Sequence, residues 1–596
     1  MRLSVLILSA VFAPVLVSAA DTVQAWTVDS LVKIFPDDPA GTSRLGNAPV
    51  LVPRNGHASV QIALRAPAAV SGINVEIAPA AGVEVQVRRA GYVPVGSSPP
   101  STPFDELARP APSVFPDPLL VDFPFDLQPN RTESMWITVH APAAASPGER
   151  TLTARITSGG KPLASVPFRV RVANTAVPAQ RTLNVTNWFQ LEQTYLTRHF
   201  KQAAEEERYW ELLGNIGRVM AEHGQSAMIT PVFSLAKPVV KDGRIEFDFS
   251  RLDRWVQVFD KAGIRTIEGG HLLGRASEYF SPLVVPSYVV ENGQAVERSL
   301  DPSDPAAGKA LADFTSALYA HLKTRGWTTR YIQHVHDEPH DDENPVYERY
   351  AKLIKQNMPG IPLLDAVGLD QDMSFFVADI WVPVLGSFDH SFDKISDHLG
   401  RGGQAWFYTC VFPQGRYLNR FTDLPAIKTR LLHWFNFRHG FTGFLHWGGN
   451  YWGPEPFDNV QAVINDNKTL LPAGDNAIVY PDPQRNTILS SIRLEQMREG
   501  IEEYEILAEL AKKDGAKARA LAQRAIPNVN DYVRDVAAFR AIQAELLGEP
   551  VPPVNAVQPS KAAVAPSTAA KPQTWFVDAL TKVFPDDAAG ANRLTQ

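Results

Sequence analysis

From about Thr22 to Asn174, apolar and polar positions alternate in short runs. Ser59-Val60-Gln61-Ile62-Ala63-Leu64, Val83-Glu84-Val85-Gln86-Val87, Met135-Trp136-Ile137-Thr138-Val139 and Phe168-Arg169-Val170-Arg171-Val172 each put apolar side chains on one face of a strand. Pro, Gly and Ser separate the runs. The pattern predicts an antiparallel β-sandwich domain over residues 21–178. The proline-rich stretch from Pro99 to Pro118 is a long excursion within it. No constellation of acids or histidines marks this region, so it reads as a structural or sugar-contacting module.

After Thr182 the period changes. Strand patterns appear at Leu183–Trp188, Ala227–Val232, Arg265–His271, Arg330–His336, Pro362–Gly368, Ile380–Leu385, Ala405–Val411 and Gly443–Trp447. Amphipathic helical patterns lie between them, at Glu205–His223, Arg251–Ala262, Ala307–Thr324, Tyr347–Gln356 and Leu424–Arg438. Strands alternating with helices predict an α/β region of the (β/α)8 TIM-barrel type. The fifth and sixth units are weakly marked. A helical part follows from Ser491 to Leu547, and the whole predicted catalytic domain spans residues 179–548.

Residues 549–573 are rich in Pro, Ala, Val and Ser, without periodicity, and read as a linker. Residues 574–596 then repeat the start of the sandwich. Trp575-Phe576-Val577-Asp578 faces Trp26-Thr27-Val28-Asp29, and Lys582-Val583-Phe584-Pro585-Asp586-Asp587 faces Lys33-Ile34-Phe35-Pro36-Asp37-Asp38. At the other end, Met1-Arg2, an apolar run to Val17 and Ser18-Ala19-Ala20 have the form of a secretory signal peptide over residues 1–20. A periplasmic or secreted location is the expectation, with no membrane anchor.

Composition changes this picture in two ways. The formal charge of -7 and the lack of any basic run argue against a nucleic-acid partner. Cys410 is the single cysteine, so no disulfide can form within the chain.

The candidate chemistry centres on Tyr331-Ile332-Gln333-His334-Val335-His336-Asp337-Glu338-Pro339-His340. An apolar strand ends in two adjacent carboxyls, and Pro339 stops the ladder. Catalytic residues gather at this edge of alternating strand–helix folds. Paired carboxyls suit acid–base cleavage of a glycosidic bond, although a barrel-edge ion pair or helix cap would use the same residues. His334 and His336 have a spacing that could hold zinc from one face. No further ligands can be placed, so no metal and no cofactor are expected. His271 and His334 are candidate substrate contacts. Trp447, Asn450 and Trp452, just past the last strand, are candidates for stacking on and bonding a sugar, with core packing as the rival reading of each tryptophan. Tyr408, Arg416 and Asn419 follow the seventh strand as plausible contacts. Glu268 is an alternative carboxylate nucleophile.

Together, His336-Asp337-Glu338-Pro339, Arg430-Leu431-Leu432-His433-Trp434, Gly443-Phe444-Leu445-His446-Trp447-Gly448, Asn450-Tyr451-Trp452 and the helix Ser491–Glu505 resemble the catalytic region of glycoside hydrolase family 123. The resemblance covers roughly Thr182 to Leu510. It implies a retaining β-N-acetylhexosaminidase, of N-acetylgalactosamine in particular, with a glycan or glycoconjugate as substrate. In such enzymes the substrate's 2-acetamido group attacks the anomeric carbon. The resemblance then gives Asp337 the task of orienting the acetamide and stabilising charge on its N–H. It makes Glu338 the general acid and then the general base. Two alternatives stand beside it: a glycosidase of a non-acetamido sugar with a carboxylate nucleophile, and a non-catalytic carbohydrate-binding protein. The Ser491–Glu505 helix has amphipathic spacing, with Ile492, Met497, Ile501 and Ile506 as its apolar stripe, and is expected to be structural, with i,i+4 pairs such as Arg498–Glu502.

Overall fold

The computed structural model describes residues 23–551 except 278–280, 369–372 and 465–468. The expected signal peptide, the partial repeat and all but the first residues of the linker lie outside the described residues.

Ten strands build the N-terminal region: β1 (Gln24–Asp29), β2 (Val50–Arg54), β3 (Gly56–Arg65), β4 (Val70–Ile77), β5 (Glu84–Val95), β6 (Ser113–Leu120), β7 (Phe125–Leu127), β8 (Thr132–Ala141), β9 (Gly148–Ser158) and β10 (Lys161–Ala176). They form two five-stranded sheets, ordered β1-β3-β8-β5-β6 and β2-β10-β9-β4-β7. Every pair is antiparallel except β2 with β10, which is parallel. Val60, Ile62 and Ile137 from the first sheet share one core with Val75, Leu152, Ile156 and Val170 from the second. The alternation in the sequence is therefore real, but its polar side is not solvated. In β3 and β8 nearly every residue is buried, including Ser59, Gln61, Ser134 and Thr138. The outer face of the first sheet is covered by the C-terminal helices.

Eight further strands coincide with the eight expected: β11 (Asn184–Asn187), β12 (Ala227–Thr230), β13 (Thr266–Gly269), β14 (Tyr331–Gln333), β15 (Leu364–Val367), β16 (Ile380–Pro383), β17 (Gln404–Tyr408) and β18 (Gly443–His446). All their pairings are parallel, in the orders β12-β13-β14 and β15-β16-β17-β18-β11. A parallel bridge from Gln333 to Leu363 joins β14 to the start of β15. The Ser226 N–H, one residue before β12, donates to the Val185 carbonyl of β11 at 3.0 Å.

The helices are α1 (Glu206–Glu222), α2 (Ser250–Ala262), α3 (Pro305–Arg325), α4 (Asn344–Asn357), α5 (Phe388–Gly400), α6 (Ala426–His439), α7 (Ile492–Lys513), α8 (Gly515–Ala525) and α9 (Val536–Leu547). Their ends follow ordinary capping chemistry. Asp304 accepts from the Ala306 N–H at the start of α3, and Gly326 closes that helix at φ +69°. Ser491 accepts from Leu494 at the start of α7. Helix α5 belongs to the weakly marked sixth unit and is not among the sequence expectations. Two hairpins were also missed, Lys237–Lys241 with Arg244–Asp248 and Leu283–Glu291 with Gln294–Leu300. Their turns are Asp242-Gly243 and Asn292-Gly293, all four at positive φ. Those dipeptides are strong two-residue hairpin signals.

Helix α7 departs most from expectation. It is buried from Ile492 to Leu507 on every side, because it lies between the first sheet and α6. Most of its charges pair with other elements, and all of these pairs are buried. Arg88 and Thr138 reach Glu495 at 2.7 and 3.1 Å. Arg430 grips Glu499 and, bidentately, Glu503. Asp117 receives three bonds from Arg493 at 2.7–3.1 Å. Arg498 pairs with Glu495, not with Glu502 as the spacing suggests. The proline-rich excursion also docks here. Its Glu106 is fully buried and bonds Lys428, Tyr532 and Arg534 at 2.8, 2.7 and 2.7 Å.

Candidate active site

Strand β14 ends at Gln333, earlier than the sequence suggests, but the chain stays pinned beyond it. The His334 N–H donates to Gly269 O at 3.0 Å, and Val335 O accepts from the Leu272 and Leu273 N–H groups. This irregular segment delivers Asp337 and Glu338 past the strand end. Glu338 sits at φ +45°, a left-handed conformation that costs a non-glycine residue about 1–2 kcal/mol. Strain of this kind persists where the surroundings impose it, and it clusters at functional positions. Tyr408, the last residue of β17, donates its hydroxyl to Glu338 Oε1. Arg275 holds Glu343 through two bonds and reaches the Glu338 carbonyl at 3.5 Å.

The Asp337 side chain is 46% accessible, and His271 Nε2 lies 4.0 Å from its Oδ1. Desolvation first, then the Glu338 carboxylate, push its carboxyl up to about 7, against the pull of His334 and Arg275. Burial and the neighbouring His334 and His336 hold His271 well below the usual histidine range. His336 is buried and falls to about 4, from desolvation and then the Arg275 charge.

His334 lies beneath this pair with no exposure. Its Nδ1 faces Asp365 Oδ1 at 3.0 Å and its Nε2 faces Glu268 Oε1 at 2.9 Å. Glu268 also accepts from the Thr186 hydroxyl at 2.5 Å and the Trp188 indole N–H at 2.8 Å. Asp365 accepts from the Tyr347 hydroxyl at 2.8 Å and from the Val335 N–H at 3.0 and 3.1 Å. Burial opposes the charge on His334, but its bonds to Asp365 and Glu268 prevail and raise it to about 9.

The expected contacts divide into two groups. Asp337, Glu338, His271, His334 and Tyr408 come together. Trp447 is half-buried beyond β18, with its indole N–H on Asp475 at 3.2 Å and Tyr451 beside it at 5.6 Å. Asn450, Trp452, Arg416 and Asn419 are engaged by other parts of the protein. Asn450 is buried, and its carboxamide bonds both the N–H and the carbonyl of Gln190. Trp452 is core, with its N–H on Val479 O at 2.8 Å. Arg416 is drawn away to Asp105 and Glu106 of the N-terminal region, at 3.1 Å each. Asn419 is buried and caps the Cys410 and Pro413 carbonyls.

Glu268, the alternative nucleophile of the sequence reading, is fully buried and hydrogen-bonded to Thr186, Trp188 and His334. The pattern His271, His334 and Asp365 brings ligand-type atoms within 4.8 Å of one another. Both His334 nitrogens face carboxylates, however, which leaves that ring no lone pair to offer a metal.

Some residues of the site were missed. Trp188 lies one residue past β11, with its ring 5.3 Å from His271 and 5.4 Å from His334. Asp365 was visible as a lone acid in an apolar strand. Asp475 comes from a loop with no pattern. Desolvation pushes it up to about 7, and it lies 3.5 Å from His446, whose other nitrogen accepts from Arg420 at 2.7 Å.

Paired carboxyls at the ends of parallel strands suit the cleavage of a glycosidic bond. A family model described as glycoside hydrolase 123, catalytic domain, matches residues 188–510, more than half of the chain. The chain belongs to that family, and it is therefore a glycosidase acting on a glycan. A family 123 glycoside hydrolase from Clostridium perfringens, whose structural analysis concerns glycolipid glycan hydrolysis, is 16% identical at a TM-score of 0.67, covering 84% of this chain and 90% of that one. A family 39 glycoside hydrolase from Bacteroides cellulosilyticus is 10% identical at a TM-score of 0.33, over 76% of this chain and 81% of that one. A β-galactosidase from Rahnella is 11% identical at 0.35, over 56% and 57%. No curated protein matches. Among the described residues, no helix is long and apolar enough to cross a membrane.

Proposed function

We propose that the chain is a retaining β-N-acetylhexosaminidase, with N-acetylgalactosamine as the preferred sugar, in which the substrate's own acetamide is the nucleophile. In this reading the eight parallel strands form a (β/α)8 barrel, with the site at their C-terminal edge. The chain works in the periplasm or outside the cell. The observation that carries the reading is the adjacency of Asp337 and Glu338 beyond β14: two carboxyls so close disfavour double ionisation and share one proton, which the mechanism uses from Glu338.

The chemistry follows from that pair. The acetamide oxygen attacks the anomeric carbon as the glycosidic bond breaks. Glu338 gives its proton to the leaving oxygen. Asp337, ionised, accepts the acetamide N–H and stabilises the positive charge that develops there. In the second step, Glu338 takes a proton from water, whose oxygen attacks the same carbon and reopens the ring of the intermediate. The burial of Glu268 leaves its carboxylate out of reach of a sugar, which favours the acetamide over a protein nucleophile.

The test is hydrolysis of nitrophenyl glycosides by the mature protein. Cleavage should be confined to β-N-acetylgalactosaminide and β-N-acetylglucosaminide. Glu338→Gln should lower turnover by about 10²–10⁴-fold, as loss of a general acid does. Asp337→Asn should slow acetamido substrates. Turnover of plain β-galactosides at comparable rates would sink the acetamide mechanism.

A further inference from the structure

A buried chain of hydrogen bonds runs from β11 through β13 and the end of β14 to β15. Thr186 of β11 and Trp188 just beyond it bond Glu268 of β13. Glu268 bonds His334, past the end of β14, and His334 bonds Asp365 of β15. Every other group facing the two carboxylates is a donor: the Thr186 hydroxyl, the Trp188 indole, the Tyr347 hydroxyl and the Val335 amide. Both carboxylates therefore present acceptor oxygens to the ring between them. A neutral imidazole has one N–H and one lone pair. It would aim that lone pair at a carboxylate, so the geometry calls for an imidazolium that donates at both nitrogens.

We propose that His334 is a positioning residue of this active site: as an imidazolium clamped between Glu268 and Asp365, it locks the strand ends under Asp337 and supplies buried positive charge against which Asp337 ionises. This inference rests on the reading of Asp337 as the carboxylate that stabilises the acetamide.

The charged and titratable groups that act on Asp337 are Glu338 beside it, His334 and Asp365 below it, Arg275 across the cleft and His271 at 4.0 Å. His334 and Arg275 favour its ionisation, whereas Glu338 and Asp365 oppose it.

The experiment follows the Asp337 carboxyl by infrared difference titration, taking each protein minus its Asp337→Asn partner, alongside the pH profile of kcat/KM. His334→Gln keeps a hydrogen-bonding side chain and removes the charge. It should move the Asp337 titration, and the acid limb of the profile, upward by about one pH unit or more, the size expected for loss of a nearby opposite charge. His334→Asn, a shorter neutral side chain, should move both in the same direction. Near-ultraviolet circular dichroism checks the fold of each. A folded variant of either kind whose Asp337 titrates as in the wild type overturns the proposal. Should His334→Gln fail to fold, the His334→Asn shift decides. The infrared titration needs no substrate. A failure of the acetamide reading would thus appear as absent turnover with the titration shifts intact.

Discussion

At the residue scale, Asp337 and Glu338 are adjacent in sequence but have been given different constraints. Glu338 is held at φ +45°. Glycine adopts that region freely, and alanine does not. Glu338→Gly should therefore be more stable than Glu338→Ala by about 1 kcal/mol, with both inactive. Urea denaturation compares them, and equal stabilities would mean that the loop relaxes once the glutamate is gone. Asp337 gives a second expectation. Glu338 contributes to its raised value of about 7. A carboxyl raised above its unfolded value of 3.8 adds stability that is fully present below that value and lost as pH rises through about 7. Glu338→Gln should bring the Asp337 titration down and flatten stability between those pH values; an unchanged pH dependence would contradict the coupling. The acid pair was legible in the sequence because strand, carboxyls and proline are contiguous. Glu268, Asp365 and Asp475 were not assigned their places, because no local signal shows which buried acid will meet which histidine.

At the element scale, all eight parallel strands were legible, since short apolar runs between amphipathic helices have few other uses. Sequence periodicity failed for helix α7. An alternating stripe was read as one buried face and one charged face, yet both are buried, and the charges meet partners far away in the chain. Pattern records which residues are apolar, not what covers the polar ones. The same packing leaves little room at Gly500 of α7, where an added Cβ would lie 2.3 Å from the Arg430 backbone oxygen of α6. Backbone cannot swing aside as a side chain does, so the helices must separate. Gly500→Ala should cost about 1–3 kcal/mol despite alanine's better helix propensity. Thermal denaturation measures it, and a stabilised variant would show that α6 and α7 slide freely.

At the scale of the whole molecule, the N-terminal sheets and the catalytic region are joined by buried charge rather than by a linker. Glu495 of α7 sits fully buried between Arg88 of β5, Arg498 and His223. Burial alone would raise its carboxyl, but the Arg498 and Arg88 charges overcome this and hold it well below its ordinary 4.5. A depressed folded value contributes stability that is fully present above 4.5 and lost as pH falls from there through the folded value. Acid should therefore loosen the junction between the regions below about pH 4.5, before it reaches the apolar cores. Glu495→Gln leaves Arg88 and Arg498 without their anion. Breaking one member of a buried pair costs about 3–5 kcal/mol, so the variant should be destabilised at neutral pH, and its stability should change less between pH 4.5 and 3 than that of the wild type. Because Arg88 belongs to the sandwich and Glu495 to α7, the loss should lower one shared transition in calorimetry. Two separated transitions in the wild type, with only one moved by the substitution, would mean that the regions fold independently and that this ion cluster is a contact between them rather than a common core.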